Sequence, residues 1–428
     1  MKRRSFYMVL AIAVTATALF SQDMADYCSV PPFVGNLVPP NVLIILDNSG
    51  SMLWAAYDND DSPSNIASGY DSTRLYYGIF DPEKRYNYVG THSDGYFEEN
   101  DHGNWSGNFL NWVTMIRWDI ARKVLTGGRV ETEGSDMFLV ADPYPRSYQN
   151  RKYHPGFGVS PHPEARYWGR SGPYLYVDDD SYMYSSPIAR YRVRIKITES
   201  PQGILQRTAS GVRYGLMFFN NDQGGYISTY IRDSYDYYGG MYHIDRIIST
   251  VNKNLSDNFC SDCIYSTWTP LAEALHEAYR FYSQQSPYYY YSDFTRDPGN
   301  PTYDPYYIND PITGAPIPVP CRRSFIIIVT DGESTMDKDI PSYLQDTDGD
   351  GNDPVPVGQD PDDYPWASDG SDYLDDVAFY IHINDIRSDI GGPWTQNITL
   401  YTVRAFGIPT VMTLRDAAIN GGFIDRNG

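Results

Sequence analysis

The sequence N-V-L-I-I-L spans Asn41–Leu46 and runs directly into Asp47-Asn48-Ser49-Gly50-Ser51-Met52. A continuous apolar run with branched residues is typical of a strand that is buried on both faces of a parallel sheet. A second run, S-F-I-I-I-V-T, spans Ser324–Thr330 and is followed by Asp331-Gly332-Glu333. The sequence therefore predicts two buried strands that each end at an aspartate.

Further strands and helices are predicted on either side of these two runs. The additional strand candidates are 191–197, 212–219 and 398–403. Apolar residues recur at helical spacing in three segments, which are 109–120, 271–278 and 374–381, and Gly127-Gly128 supplies a helix stop. Strands that alternate with amphipathic helices indicate an α/β fold, doubly wound, with a mostly parallel sheet and helices on both faces. In such sheets a ligand binds outside the carboxyl ends of the strands, where the strand order reverses.

Long segments rich in Gly, Pro, Ser, Asp and Tyr interrupt this pattern. They cover about 53–107, 129–190 and 282–320. Structureless loops of such length are uncommon in compact domains, so we interpret them as functional insertions or small added subdomains. The chain has 40 tyrosines, and a composition of this kind suits exposed polar surface better than a dry core. A tyrosine contact surface and ordinary inserted loops both remain open readings.

Charge and the amino-terminal sequence bear on partners and location. With 54 acidic and 33 basic residues the net charge is −21, which disfavours nucleic acid and anionic membranes and favours cations. Residues 1–18 combine Lys2-Arg3-Arg4 with an apolar stretch and small residues, which predicts a signal peptide cleaved between 18 and 25, followed by an extension over 19–40. A buried amino-terminal helix is the alternative. No second hydrophobic stretch is long enough for a membrane span.

Four cysteines follow the predicted signal peptide: Cys28, Cys260, Cys263 and Cys321. An exported chain meets oxidising conditions, so two disulfides are expected, for which three pairings exist. A local Cys260–Cys263 bridge would leave Cys28 with Cys321. A zinc site made of the same four thiols is the alternative, although a lone C-x-x-C is a weak zinc signal.

Oxygen donors gather at the predicted strand ends. Asp47, Ser49 and Ser51 offer one carboxylate and two hydroxyls, Thr269 lies before the predicted helix at 271, and Asp331 offers a second carboxylate. These hard, small ligands suit Mg²⁺ first, with Mn²⁺ or Ca²⁺ as alternatives. The plainer reading is a simple turn at Asp47 and an N-cap at Thr269 followed by Pro270.

The pattern D-x-S-x-S, with a later threonine before a helix and a later T-D-G, resembles the metal-ion-dependent adhesion site of von Willebrand A domains. The resemblance implies that Asp47, Ser49, Ser51, Thr269 and Asp331 bind the ion directly or through water. It also implies that one coordination position is left for an acidic group of a partner. Residues 41–428 would then form one von Willebrand A domain that is interrupted by the three insertions, with its final helix missing.

Four further stretches are similar to the PilY-type adhesins of type IV pilus tips: 107–112 (G-N-F-L-N-W), 122–128, 269–275 and 371–378. With the strand motifs, the resemblance extends from about residue 41 to the end. It implies a metal-dependent adhesion and pilus-assembly role after export through the periplasm, at the pilus tip or outer membrane. The implied partners are minor pilins or tip proteins, and a host or surface ligand with an exposed carboxylate. The family's β-propeller does not follow here, so either the sequence is truncated or a companion chain carries the missing helix and propeller.

A second acidic group comprises Asp346, Asp348, Asp350, Asn352 and Asp353. Carboxylates at alternate positions before a glycine are typical of the opening of a calcium loop, which predicts a second Ca²⁺. The twelfth position is Val357, so the bidentate glutamate of an EF-hand is absent. A solvated acidic loop is the alternative.

Enzyme motifs are missing from the sequence. It contains no G-x-S-x-G, H-E-x-x-H or phosphate loop, and its 7 histidines are scattered away from the predicted metal ligands. We therefore expect a non-enzymatic adhesin. The alternative is a calcium-stabilised secreted surface protein, and a metal-dependent hydrolase is less favoured because no candidate base is present.

Overall fold

The computed structural model describes residues 38–57, 67–221, 223–256, 263–265, 267–332, 334–349, 370–406 and 412–422. From Pro40 onward these residues form one unit by their contacts. The predicted signal peptide and extension at 1–37 lie outside the described residues, as do Cys28, Cys260, Asp350, Asn352 and Asp353.

The described part of the chain holds seven α-helices and twenty-two strands. The helices are α1 (Gly107–Thr114), α2 (Arg117–Thr126), α3 (Ile204–Thr208), α4 (His243–Val251), α5 (Leu271–Tyr282), α6 (Leu374–Ile383) and α7 (Met412–Asn420). The first eleven strands are β1 (Asn41–Leu46), β2 (Ala67–Ser68), β3 (Arg85–Val89), β4 (Tyr96–Glu99), β5 (Trp105–Ser106), β6 (Arg129–Glu133), β7 (Asp136–Val140), β8 (Arg151–Tyr153), β9 (Tyr167–Ser171), β10 (Tyr174–Asp178) and β11 (Ala189–Arg192). The other eleven are β12 (Arg194–Ile197), β13 (Arg213–Phe219), β14 (Gly225–Asp233), β15 (Tyr237–Tyr238), β16 (Met241–Tyr242), β17 (Asn254–Ser256), β18 (Cys263–Tyr265), β19 (Tyr307–Asn309), β20 (Pro316–Pro318), β21 (Ser324–Thr330) and β22 (Ile398–Arg404). Among the described helices, none is both long and apolar enough to cross a membrane.

The main sheet has five strands in the order β14-β13-β1-β21-β22. Strands β13, β1, β21 and β22 run parallel, and β14 pairs antiparallel with β13 at one edge. All residues of β1 are buried, as its continuous apolar run requires. Leu46 pairs with Phe218 on one side and with Val329 on the other, so β1, β13 and β21 end at the same edge of the sheet.

Helices cover both faces of this sheet. On one face Leu43 and Ile45 belong to a core that also contains buried residues of α5, α6 and α7. On the opposite face Val42 and Ile44 belong to a core with buried residues of α2, α3 and α4. The predicted α/β class is confirmed at this level, and both apolar runs form the predicted strands with the predicted bounds.

Two predicted elements differ from the structure. The segment 191–197 is divided at Val193 between β11 and β12, which belong to two other sheets, whereas the fifth strand of the main sheet is β14. In β14 the apolar side chains of Ile227 and Ile231 face the core, and the preceding residues Tyr226 and Tyr230 are half-buried. The helical spacing over 109–120 forms two helices rather than one, because Met115 and Ile116 adopt extended backbone conformations.

The long inserted segments contain further sheets. A six-stranded sheet has the order β5-β3-β4-β12-β7-β6, and a five-stranded sheet has the order β11-β10-β9-β8-β2. Their shared core is rich in aromatic side chains, including Trp105, Trp168, Phe97, Phe109 and Tyr191. Among the described tyrosines of these segments, Tyr76, Tyr86 and Tyr306 are buried, Tyr182, Tyr288 and Tyr291 are exposed, and most of the others are half-buried.

A buried network of ion pairs joins the inserted segments to the main sheet's helices. Arg170 on β9 donates to Asp119 on α2 at 2.6 Å and also to the main-chain carbonyls of Thr114 and Asp142. Arg122 on α2 donates to the Asp142 carboxylate at 2.6 Å. The Asp142 backbone N–H donates to Asp119 at 2.7 Å. All four charged side chains are at most 1% exposed, so the network is shielded from solvent.

The first prediction concerns Arg170. Replacing Arg170 with alanine should lower the free energy of unfolding by roughly 3 to 5 kcal/mol, because it leaves the buried charge of Asp119 without its partner. Urea denaturation of wild type and variant measures this difference. Arg190→Ala serves as the control, since Arg190 is exposed and stacks on Tyr174, and it should cost less than about 1 kcal/mol. Equal losses in the two variants would contradict the role of the network.

Candidate functional site

Asp47 lies at the carboxyl edge of the main sheet, where β1 ends, and its side chain is fully buried. One carboxylate oxygen accepts a hydrogen bond from the Ser49 backbone N–H at 2.6 Å. The other accepts one from the Thr330 hydroxyl at 2.6 Å, and the backbone N–H of Asp331 lies 3.5 Å from it. The end of β21 therefore orients the Asp47 carboxylate.

The serines of the D-x-S-x-S motif turn back beside Asp47. The hydroxyls of Ser49 and Ser51 lie 2.9 Å apart, so both oxygens can approach one small ion. The loop is held from its other side by Thr267, whose N–H donates to the Asn48 carbonyl and whose carbonyl accepts from the Gly50 N–H. These backbone contacts place the loop before α5 against the loop after β1.

Thr269 and Asp331 come from the two remaining loops of this edge. The Thr269 N–H donates to the hydroxyl of Thr335 at 2.9 Å, and the Thr335 N–H donates to the Thr269 carbonyl at 3.1 Å. Thr269 is 4% exposed and Asp331 is 6% exposed. The three loops that carry the five predicted ligands are thus hydrogen-bonded to one another at the same edge of the sheet.

Asn48, within the motif, holds neighbouring strands together. Its amide oxygen accepts from the Phe219 N–H at 3.1 Å, and its amide nitrogen donates to the carbonyls of Phe219 and Tyr265. The side chain therefore pairs with the main chain of Phe219, the last residue of β13, as a further residue of β1 would. Sequence reasoning gave Asn48 no role, because its contacts are made with residues about 170 and 217 positions away.

The electrostatics of Asp47 fit a bound cation. Burial raises the pKa of Asp47, and the negative charge of Asp331 raises it further, against the hydrogen bonds from Ser49 and Thr330. A carboxylate in this position is costly to ionise without a nearby positive charge. A divalent ion between Asp47 and Asp331 would supply that charge, and the two carboxylates and three hydroxyls are the donors that Mg²⁺ prefers.

Arg117 is the site residue that sequence reasoning missed. Its guanidinium donates to the Asp331 carboxylate at 2.7 Å, and both side chains are buried. Arg117 begins α2, and its guanidinium also lies 5.2 Å from the ring centre of Trp54. No motif signals this contact, since Arg117 and Asp331 are 214 residues apart in sequence.

A cleft of about 580 Å³ adjoins the two loops that carry Asn48 and Thr267. Its lining combines aromatic and polar side chains, among them Phe219, Asn220, Tyr226, Lys253 and Tyr265. The cleft therefore lies directly beside the loop that carries Asp47, Ser49 and Ser51.

Two members of the second acidic group, Asp346 and Asp348, lie beside a residue that the sequence did not suggest. Asp346 and Asp348 lie with Asp376, from the first turn of α6, so that their carboxylate oxygens are within 4.8 Å of one another. Within the described part of the chain, this is the one group of three or more such side chains close enough to share an ion. Asp376 was not among the predicted ligands, because it is brought in by the packing of α6.

The cysteines depart from the predicted pairing. Cys321 is exposed and carries a free thiol, so the proposed Cys28–Cys321 bridge is not formed in the structure. Cys321 immediately precedes β21, at the amino edge of the main sheet, whereas Cys263 lines the cleft at the carboxyl edge. Cys263 is disulfide-bonded.

Buried carboxyls line α5 behind the site. Glu273 accepts from the N–H groups of Gly224 and Asp339, and burial together with the charge of Asp337 raises its pKa to about 8. One turn further along α5, both carboxylate oxygens of Glu277 share the N–H of Tyr288 as their hydrogen-bond donor. These contacts fasten the tyrosine-rich segment to the helix that Thr269 precedes.

Comparison with known families gave a partial match. Residues 67–154 match the family model described as "PilY1 homolog, small alpha/beta domain", which covers roughly a fifth of the chain. The matched segment contains α1 and α2, and with them Arg117. Comparison with the curated proteins and with the solved structures found no match. The family match supports a PilY1-like protein with a function related to type IV pili and an exported, pilus-associated location.

The second prediction concerns the pH dependence of stability. Burial and the charge of Asp293 raise the pKa of Glu277 from 4.5 to about 8. The stability that Glu277 contributes is therefore fully present below about pH 4.5 and is lost as the pH rises through about 8. The free energy of unfolding of Glu277→Gln, relative to that of wild type, should therefore rise by roughly 2 to 4 kcal/mol between pH 5 and pH 9, because glutamine does not ionise.

Urea denaturation at several pH values measures this change. The control is Glu83→Gln at an exposed position, for which the difference from wild type should stay nearly constant. A constant difference for Glu277→Gln as well would show that its carboxyl is ionised in the folded protein at every pH tested.

Proposed function

We propose that the chain is a metal-dependent adhesion and assembly module of the type IV pilus tip. A divalent cation, Mg²⁺ first and Mn²⁺ or Ca²⁺ as alternatives, would be held by Asp47, Ser49, Ser51, Thr269 and Asp331. The ion would bind an acidic group of a partner. Minor pilins, other tip proteins, or a surface ligand with an exposed carboxylate are the partners this chemistry suits.

The observation that carries the proposal is the meeting of three loops at one sheet edge. The loops after β1, before α5 and after β21 are tied by backbone and side-chain hydrogen bonds, and each contributes an oxygen donor. Such an arrangement orients the ligands before an ion arrives, so little ordering is required on binding. The match of the neighbouring segment to a pilus-associated family supplies the biological setting.

The chemistry of the donor set favours binding over catalysis. In the described structure no histidine hydrogen-bonds to any of the five proposed ligands. An ion with one open position attracts a carboxylate without requiring a base. We therefore infer that the module is not an enzyme and that its specificity comes from the partner surface around the ion, including the cleft beside Asn48.

The third prediction tests the ion site. Asp47→Asn removes one negative charge, and the variant should lose measurable Mg²⁺ and Mn²⁺ binding in calorimetry while keeping a cooperative thermal transition. The fold should survive because burial already disfavours the ionised form of Asp47. In cells that express the chain, the variant should also be depleted from the sheared pilus fraction.

The matched control is Asp293→Asn. Asp293 is also buried, and burial raises its pKa to about 6, but it binds Asn220 and the Tyr290 N–H rather than the three loops. This variant should keep wild-type ion binding. Unchanged Mg²⁺ and Mn²⁺ affinity in Asp47→Asn would place the ion elsewhere and reject the proposed site.

A second candidate function is that of a calcium-stabilised surface protein, and the group of Asp346, Asp348 and Asp376 favours it. The group joins the segment after β21 to α6. Asn420 of α7 donates to Asp348 at 2.6 Å, and Thr347 donates to Asp376. A Ca²⁺ ion here would fasten two helices to the sheet, and it is compatible with an adhesion site at Asp47.

The fourth prediction separates the two sites. If Ca²⁺ binds this group, Asp348→Asn should abolish the rise in melting temperature that Ca²⁺ gives, because one of three charged ligands is lost. Differential scanning calorimetry with and without Ca²⁺ measures the rise. Mg²⁺ affinity at the Asp47 site should be unchanged in the same variant. A wild type that Ca²⁺ does not stabilise would leave a solvated acidic loop as the reading of this segment.

A further inference from the structure

The ion pair between Arg117 and Asp331 lies within the proposed metal site. The Arg117 side chain is 8% exposed and that of Asp331 is 4% exposed, and their nearest charged atoms are 2.7 Å apart. Asp331 also adds its charge to the environment of Asp47. A fixed positive charge thus contacts one of the two carboxylates that would hold the ion.

The position of Arg117 in its helix needs an explanation. Arg117 is the first residue of α2, where the helix dipole disfavours a positive charge. Its N–H donates to the Trp54 carbonyl, and its guanidinium stacks on the Trp54 ring. The charge is therefore stabilised from outside the helix, by Trp54 and by Asp331.

The helix itself is anchored at its other positions. Arg122 pairs with Asp142, and Asp119 pairs with Arg170, so α2 cannot easily withdraw Arg117 from the site. A divalent ion that binds Asp47 and Asp331 must therefore do so close to a guanidinium. Like charges at such distances repel strongly where water is excluded.

We propose that Arg117 is an internal counter-cation of the site. In the ion-free protein it neutralises Asp331, and in the ion-bound protein it weakens the affinity for the divalent cation. The inference rests on the proposed ion site at Asp47 and deepens it, because it names Arg117 as the residue that sets the cation concentration at which the site fills. Since Arg117 belongs to the matched small domain, ion binding and the position of that domain would be linked.

Arg117→Gln tests the proposal by removing the charge. Calorimetric titration with Mn²⁺ should show affinity at least about tenfold tighter than in wild type. Without the ion the variant should melt at a lower temperature than wild type, because Asp331 loses its partner. Mn²⁺ should remove this difference in melting temperature. An affinity equal to or weaker than that of wild type overturns the proposal.

The matched control is Arg387→Gln, which breaks a buried ion pair with Asp304 away from α2 and whose guanidinium also lies over an aromatic ring, that of Tyr306. This variant should lose stability and keep the wild-type Mn²⁺ affinity. Mn²⁺ should raise its melting temperature no more than that of wild type. If Arg117→Gln does not fold without ions, refolding in Mn²⁺ decides the matter. Recovery of a cooperative transition supports the proposal, since the ion replaces the missing charge, and failure to recover at any Mn²⁺ concentration overturns it.

Asp47→Asn distinguishes this proposal from the one on which it rests. If wild type binds Mn²⁺, Asp47→Asn does not, and Arg117→Gln equals wild type, then the ion site stands and the role of Arg117 falls. If wild type and Asp47→Asn bind alike, both proposals fall together.

Discussion

Arg170 and Arg122 lie inside the protein against Asp119 and Asp142, and these side chains hold the inserted sheets to the helices of the parallel sheet. Buried charges of this kind tolerate few alternative arrangements, because each one displaced from its partner would be left unsolvated. They fix α2 in place and, through it, the side chain of Arg117. The aromatic core of the inserted sheets, in contrast, could pack in several ways at similar cost.

The carboxyl edge of the main sheet gathers groups that would otherwise be costly to bury. Asp47 and Asp331 arrive there because β1 and β21 are parallel and end in register. Hydrogen bonds from the Ser49 N–H and from Thr330 satisfy part of the Asp47 carboxylate, while burial and the charge of Asp331 raise its pKa. Arg117 places a positive charge at Asp331, and the proposed divalent ion would add one beside Asp47.

The sequence was sufficient for the central strands, since a continuous apolar run has few other structures open to it. The five oxygen donors could be predicted to lie together because the carboxyl ends of parallel strands meet at one edge of a sheet. That they bind an ion is a proposal. Strand β14 was missed because its alternation of isoleucine and half-buried tyrosine was interpreted as polar surface. The break at Met115 and Ile116 and the contact of Arg117 with Asp331 depend on distant packing, which no local pattern encodes.

Asn48 has a consequence for the handling of the purified protein. Deamidation would turn its amide nitrogen, which donates to the carbonyls of Phe219 and Tyr265, into an oxygen facing those same carbonyls. One chemical event on storage would thus replace two attractive contacts with repulsive ones and add a negative charge next to Asp47. A preparation that has aged in this way would separate as an acidic charge variant, with the end of β13 released from the loop that follows β1.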